Sequence, residues 1–254
     1  MELNYKEFGA GDPIVILHGL FGTLDNWQTI AKQLAEEHLV YIVDQRNHGK
    51  SPHTEAFSYA LMAEDLLEFL ADKGIFRTHI IGHSMGGKTA MQFALEHPDY
   101  VDKLVVVDIG PYQYPGGHQQ IFDALFSVDL EQLSSRKEIQ EKLAEKIEGQ
   151  SVLLFLMKNL TRLPEGGYRW KMNLKSLYEN YQAILSALPE EELFDGETLF
   201  IRGAQSNYIP EDGEAALKAW FPDSKLISIP NAGHWVHAEA PQPFLTTLKA
   251  YLND

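Results

Sequence analysis

The stretch HIIGHSMGGKTAMQFALEH (79–97) decides the fold. HIIGH is a short apolar run that predicts a strand, and MGGKTAMQFALEH predicts a helix. Between them GHSMG matches G-x-S-x-G, in the strand-then-helix setting that pattern requires. A turn that sharp strains its central residue, Ser84, and lifts the hydroxyl off the sheet edge. A Cβ at either flanking glycine would strike the neighbouring backbone, so Gly82 and Gly86 are the residues that allow it. The helix N-terminus beneath favours developing negative charge.

Working outward, IVILHG (14–19), LVYIVD (39–44), KLVVVDIG (103–110), TLFIRG (198–203) and KLISIP (225–230) join HIIGHS (79–84) as predicted strands. Several are too continuously apolar for a strand with one wet face, which predicts a mostly parallel sheet covered on both sides. Helical spacing falls at 27–36, 59–73, 85–96, 214–220 and 241–252. Strands alternating with helices predict a doubly wound α/β sheet. The alternation breaks once, between Pro111 and Phe194. That stretch is charged and helix-prone, with PEGGYRWKMN (164–173) as its one candidate turn or short extended piece. The expected organisation is a core of residues 1–110 and 195–254 with a helical insertion at 111–194.

Composition narrows the function. The 254 residues carry a formal net charge of −15, which opposes binding to nucleic-acid phosphates or an anionic membrane surface. The chain has no cysteine, so disulfides, thiolate nucleophiles, Cys-ligated zinc and iron–sulfur clusters are all excluded. Nothing resembles a secretory leader or an apolar stretch long enough to span a bilayer. The expectation is a cytoplasmic protein acting on a small molecule.

A serine hydroxyl needs a base. Of 10 histidines, His97 lies at a helix end, and His38, His53 and His118 read as surface or loop residues. His234, in NAGHWVHAE (231–239), follows the last strand and falls on the carboxyl edge of the sheet, where open α/β sheets place their sites. HGLFG (18–22) follows the first strong strand. Its glycines free backbone amides to face a substrate oxygen, and the expected donors are the N–H groups of Leu20 and Met85, with Phe21 as the alternative to Leu20. His18 is expected to brace this loop.

HGLFG, DQRNHGKS (44–51), GHSMGGK and NAGHWVHAE, in this order, resemble the α/β-hydrolase superfamily over the whole chain outside the insertion. More narrowly they are similar to a group of bacterial esterases and their eukaryotic abhydrolase relatives. The resemblance implies an α/β-hydrolase fold with a helical cap at 111–194. It implies hydrolysis of an acyl ester or thioester through an acyl-serine, without cofactor or metal, by a monomer or homodimer. DQRNHGKS is then a structural turn rather than a metal or acid–base cluster of Asp44, Arg46 and His48. His237 and Glu239 hold the His234 loop.

Many members of the superfamily place the catalytic acid just past the penultimate strand, where this chain reads RGAQSNYI and carries Ser206. Asp108 is the expected acid instead. It closes an apolar run at the carboxyl edge, where a charge is costly without a partner, and relatives with serine at the later position carry the acid after the earlier strand. Ser206 becomes an auxiliary hydroxyl. Glu211 and Asp212 are the rivals, at the cost of a longer loop. Phe122, Phe126, Phe155, Leu156 and Trp170 are the apolar cap residues from which a substrate pocket would be built. The same triad also serves carbon–carbon hydrolysis, elimination and perhydrolysis elsewhere in the superfamily, and a hydrolase-fold receptor is a further alternative.

Overall fold

Strands buried on both faces can satisfy their backbone only with one another, and the apolar runs pair accordingly. In the computed structural model, residues 1–133, 135–189 and 192–254 are described. Five strands precede the insertion: β1 (Tyr5–Gly9), β2 (Pro13–Leu17), β3 (Leu39–Val43), β4 (Thr78–His83) and β5 (Val101–Val107). A short antiparallel hairpin, β6 (Leu160–Arg162) with β7 (Tyr168–Trp170), lies within it, and β8 (Thr198–Gly203) and β9 (Ser224–Ile229) follow. The large sheet has the order β1-β3-β2-β4-β5-β8-β9. All its neighbours are parallel except β1, which runs antiparallel to β3.

Alternate residues of each strand feed two separate cores. Ile80 packs with Val15, Leu17, Leu104 and Val106 on one face, and its neighbour Ile81 with Ile14, Ile16, Val105 and Ile201 on the other. Both isoleucines are fully buried, each worth about 1.5–3 kcal/mol. Helices α1 (Gln28–Leu34), α2 (Tyr59–Lys73) and α3 (Met85–Glu96) belong to the first half of the chain. The insertion supplies α4 (Gln119–Phe126), α5 (Arg136–Ala144), α6 (Gln150–Met157), α7 (Leu174–Glu179) and α8 (Tyr181–Leu185). Short α9 (Glu214–Leu217), α10 (Val236–Glu239) and α11 (Pro241–Asn253) follow. None of the described strands from 111–194 joins the large sheet.

Three features depart from the sequence reading. β1 was not expected, because YKEFG is polar and mostly exposed, and an edge strand of that kind carries no apolar period. Within the insertion, β7 lies in the stretch read as a turn or extended piece, but β6 adds a strand partner where none was foreseen. α9 stops at Leu217 rather than Trp220, and residues 218–220 continue as a turn. Among the described residues no helix is long and apolar enough to cross a membrane.

Candidate active site

The carboxyl ends of β2, β4, β5, β8 and β9 each deliver one part of the site. Ser84 leaves β4 at φ 53° and ψ −120°, a left-handed conformation for a residue with a Cβ. Its N–H donates to the Val107 carbonyl at 3.0 Å, and its carbonyl accepts from Lys88 N–H at 3.1 Å, fixing the turn between strand and helix. A Cβ on Gly82 would lie 2.2 Å from the Gly86 carbonyl oxygen, and one on Gly86 would lie 2.5 Å from those of Leu17 and His18. Those contacts are with backbone, which cannot move aside. Asp108 leaves β5 at φ 53° as well, and Phe21 in the loop after β2 has φ 58°. Strain therefore gathers where the site is built.

Asp108 is wholly buried. Its Oδ1 accepts the Gly203 N–H at 3.0 Å. Its Oδ2 accepts both the Ser206 hydroxyl and His234 Nδ1–H, the latter at 2.8 Å. The structure thus brings Asp108, Ser206 and His234 together from three strand ends. Glu211 and Asp212 are exposed, and among the described residues neither reaches His234. With Nδ1 donating to the carboxylate, neutral His234 keeps a lone pair on Nε2, as a base requires. No hydrogen bond joins Ser84 Oγ to His234; the two side chains line the same cavity, an arrangement that commonly tightens only when substrate is bound.

The surroundings of His234 were largely hidden in the sequence. Its ring stacks on Tyr208 at 4.1 Å and 20° and lies 4.7 Å from the ring of His83. His83 donates from Nε2 to the His234 carbonyl at 2.9 Å. Burial, reinforced by the neighbouring His234 and His237 imidazoles, holds His83 neutral, well below the ordinary histidine range. Glu239 accepts the Gly233 N–H at 2.6 Å and the Trp235 N–H at 3.3 Å, pinning the loop on both sides of His234. His237, pushed down to about 3 by burial, stacks on Trp27 at 4.1 Å.

The loop after β2 closes with Gly22 N–H donating to the Gly19 carbonyl at 2.9 Å. His18 donates from Nδ1 to that same carbonyl at 2.8 Å and accepts the Gln45 N–H on Nε2 at 3.1 Å, which defines one neutral tautomer. Burial lowers it to about 4. Among the described residues the N–H groups of Leu20, Phe21 and Met85 have no hydrogen-bond partner. Leu20 and Met85 share one cavity wall with Ser84, and Leu20 and Phe21 share the wall of the second cavity with it. Asp44, Arg46 and His48 serve the scaffold. Asp44 accepts the Leu24 N–H at 2.8 Å, Arg46 Nε pairs with buried Asp65 at 2.6 Å, and His48 bonds its own turn.

Two chambers meet at Ser84. The narrower, about 250 Å³, includes Met85, Lys88, Ile109 and Ile184 in its wall. The wider, about 640 Å³, includes His234, Trp235 and Phe155. Leu20, Ser84, His118 and Tyr208 line both. Of the five apolar residues expected to build the pocket, only Phe155 faces a chamber. Phe122 and Leu156 are core, Phe126 is 49% exposed, and Trp170 packs half-buried against the core. Amphipathic spacing marks a buried face but not which buried face surrounds a void. His38, read as surface or loop, differs too, since it is buried against His79. His118 lies at the start of α4, bonds the Tyr181 hydroxyl from Nδ1 at 2.7 Å, and is lowered to about 4 by burial.

Known proteins share the sequence and fold of this chain. A family profile described as the alpha/beta hydrolase fold matches residues 12–241. The sn-1-specific diacylglycerol lipase ABHD11 of Mus musculus is 37% identical over 247 residues, 94% of this chain and 80% of that protein. Esterase YbfF of Escherichia coli (strain K12) is 37% identical over 260 residues, all of both chains. A solved structure described as a marine microorganism esterase matches at TM-score 0.95 and 43% identity, over 98% of each chain. A profile match over most of the length, with identities of this size across nearly the whole chain, places the protein: it belongs to the α/β-hydrolase family.

Proposed function

We propose that the chain is a serine hydrolase that cleaves carboxylic esters or acyl thioesters through an acyl-serine intermediate. The observation that carries the reading is a single arrangement. A strained Ser84 lines one cavity with His234, whose Nδ1 lies 2.8 Å from a wholly buried carboxylate, Asp108. The names of its relatives, esterase and diacylglycerol lipase, support ester chemistry.

Ser84 is the nucleophile. His234 takes its proton as Oγ attacks the acyl carbonyl, and Asp108 holds the imidazole in the Nδ1–H tautomer and balances the imidazolium. The amides of Leu20 and Met85 receive the oxyanion, each worth about 2.7–4 kcal/mol in comparable sites. His234 then returns its proton to the departing alcohol or thiol, and water repeats the sequence on the acyl-enzyme. Ser206 steadies Asp108 from beneath. Residues 111–194 act as the cap over a core of 1–110 and 195–254, and the chemistry uses no cofactor or metal.

The test is turnover of p-nitrophenyl esters and acyl-CoA thioesters, with Ser84→Ala as the blank. Turnover lost in the variant supports the reading. Folded wild-type protein that turns over none of these substrates, or a variant as active as wild type, overturns it.

A further inference from the structure

The two chambers at Ser84 are not interchangeable, and their contents differ in a way that selects a substrate. We infer that the narrow chamber receives the acyl chain and the wide one the leaving group, so that the substrates are esters of apolar acyl chains of up to about ten carbons. This rests on the serine-hydrolase reading above.

The assignment follows from where the proton must go. In the tetrahedral intermediate the oxyanion faces the Leu20 and Met85 amides, and the leaving atom must lie within reach of the His234 proton. His234 lines the wide chamber and not the narrow one. The leaving group therefore departs into the wide chamber, and the remaining substituent, the acyl chain, has only the narrow one. In size, a dry cavity of about 150 Å³ accommodates the six carbons of benzene. By that ratio the 250 Å³ chamber holds about ten carbons.

The chemistry of the wall makes the chain apolar. Besides Ser84, six polar side chains line the narrow chamber: His118 and Tyr208 are shared with the wide one, Asn207 is exposed, and the other three are already committed. Tyr59 donates its hydroxyl to the Ile184 carbonyl at 2.7 Å. Tyr114 donates to the Tyr208 carbonyl at 2.9 Å and accepts the Gly110 N–H at 2.8 Å. Lys88, 1% exposed, directs Nζ at the carbonyls of Tyr112, Leu185 and Ser186, three acceptors that take up the two N–H groups of an amine as fully as the three of an ammonium. A carboxylate at the far end of an acyl chain would meet no free donor among these groups and would lose its water, which costs more than burial returns.

The experiment uses p-nitrophenyl esters of linear acids from C2 to C16, together with the hemisuccinate. Expected is a kcat/KM that climbs about fourfold per methylene at most, gains nothing further beyond about ten carbons, and falls at least 100-fold for succinyl against pentanoyl. A steady climb to C16, or succinyl handled like pentanoyl, overturns the assignment. Two variants separate the chambers: Ile184→Phe should lower the octanoate-to-acetate ratio at least tenfold. Val152→Phe, in the wide chamber, should instead change the preference between naphthyl and methyl acetates. The reverse pattern, or neither ratio moving, also overturns it. If the acyl profile fails while turnover still depends on Ser84, the chamber assignment alone is wrong. If turnover survives Ser84→Ala, the serine-hydrolase reading falls first and takes this one with it.

Discussion

Asp108→Asn isolates the charge of the proposed acid from its shape. Asparagine keeps an oxygen for the Gly203 N–H, now 3.0 Å from Oδ1, and it tolerates the φ of 53° better than most residues. The variant should fold. What it loses is the negative charge next to His234, whose Nδ1 lies 2.8 Å from Oδ2. With charge centres about 4 Å apart and an effective dielectric near 20, the imidazolium–carboxylate attraction is about 4 kcal/mol, or three decades in rate. An amide nitrogen turned toward Nδ1 would also force the wrong tautomer, adding about one decade. The total, about 10³–10⁴-fold, matches the loss on the same change in a serine protease triad. The assay is kcat/KM on p-nitrophenyl butyrate, with Ser84→Ala setting the floor and thermal melts confirming the fold. Asp212→Asn, on an exposed loop, should change activity by less than about twofold. A loss under about tenfold in folded Asp108→Asn would refute the reasoning, as would an equal loss in Asp212→Asn.

Two further substitutions probe the groups around this centre. Ser206→Ala removes a buried hydroxyl donated to Asp108 Oδ2. It should cost about 1.5–3 kcal/mol of stability in chemical denaturation and less activity than Asp108→Asn; an equal activity loss would place Ser206 in the proton path. Lys88 is lowered from 10.5 to about 7 by burial, so between those values the unfolded chain binds the extra proton and stability rises with pH. Lys88→Met should flatten that rise in unfolding free energy measured across about pH 7 to 9, and an unchanged slope would show that the amino group is not the source.

The fold was legible because its signals are local. β2, β3, β4, β5 and β8 are largely apolar runs buried on both faces, and β9 keeps its apolar period although one face is exposed. β1 escaped because Tyr5–Gly9 pairs along an exposed edge, where pairing alone and not burial makes the strand. At the site, Ser84 announced itself through Gly82 and Gly86, and His234 through its place after the last strand. Tyr208 and His118 did not. A ring stacked on the His234 imidazole and a histidine set just before α4 are consequences of how distant segments meet, and no spacing in the chain encodes them.

Asp108 is the instructive middle case, because it has the same positive φ as Ser84 while its flanks, Val107 and Ile109, carry no glycine to mark the turn. Strain of this kind costs about 1–3 kcal/mol, and three hydrogen bonds to the carboxylate offset it: from Gly203, Ser206 and His234. The Ser206 hydroxyl touches the same oxygen that His234 uses. A carboxylate at 206 would therefore face Asp108 across a hydrogen bond's distance, where two like charges do not both ionise. The pocket has room for one acid at the junction of β5 and β8. A serine past β8 is thus the physical complement of an aspartate past β5, since a neutral donor at that point lets the buried charge stay where the imidazole can use it.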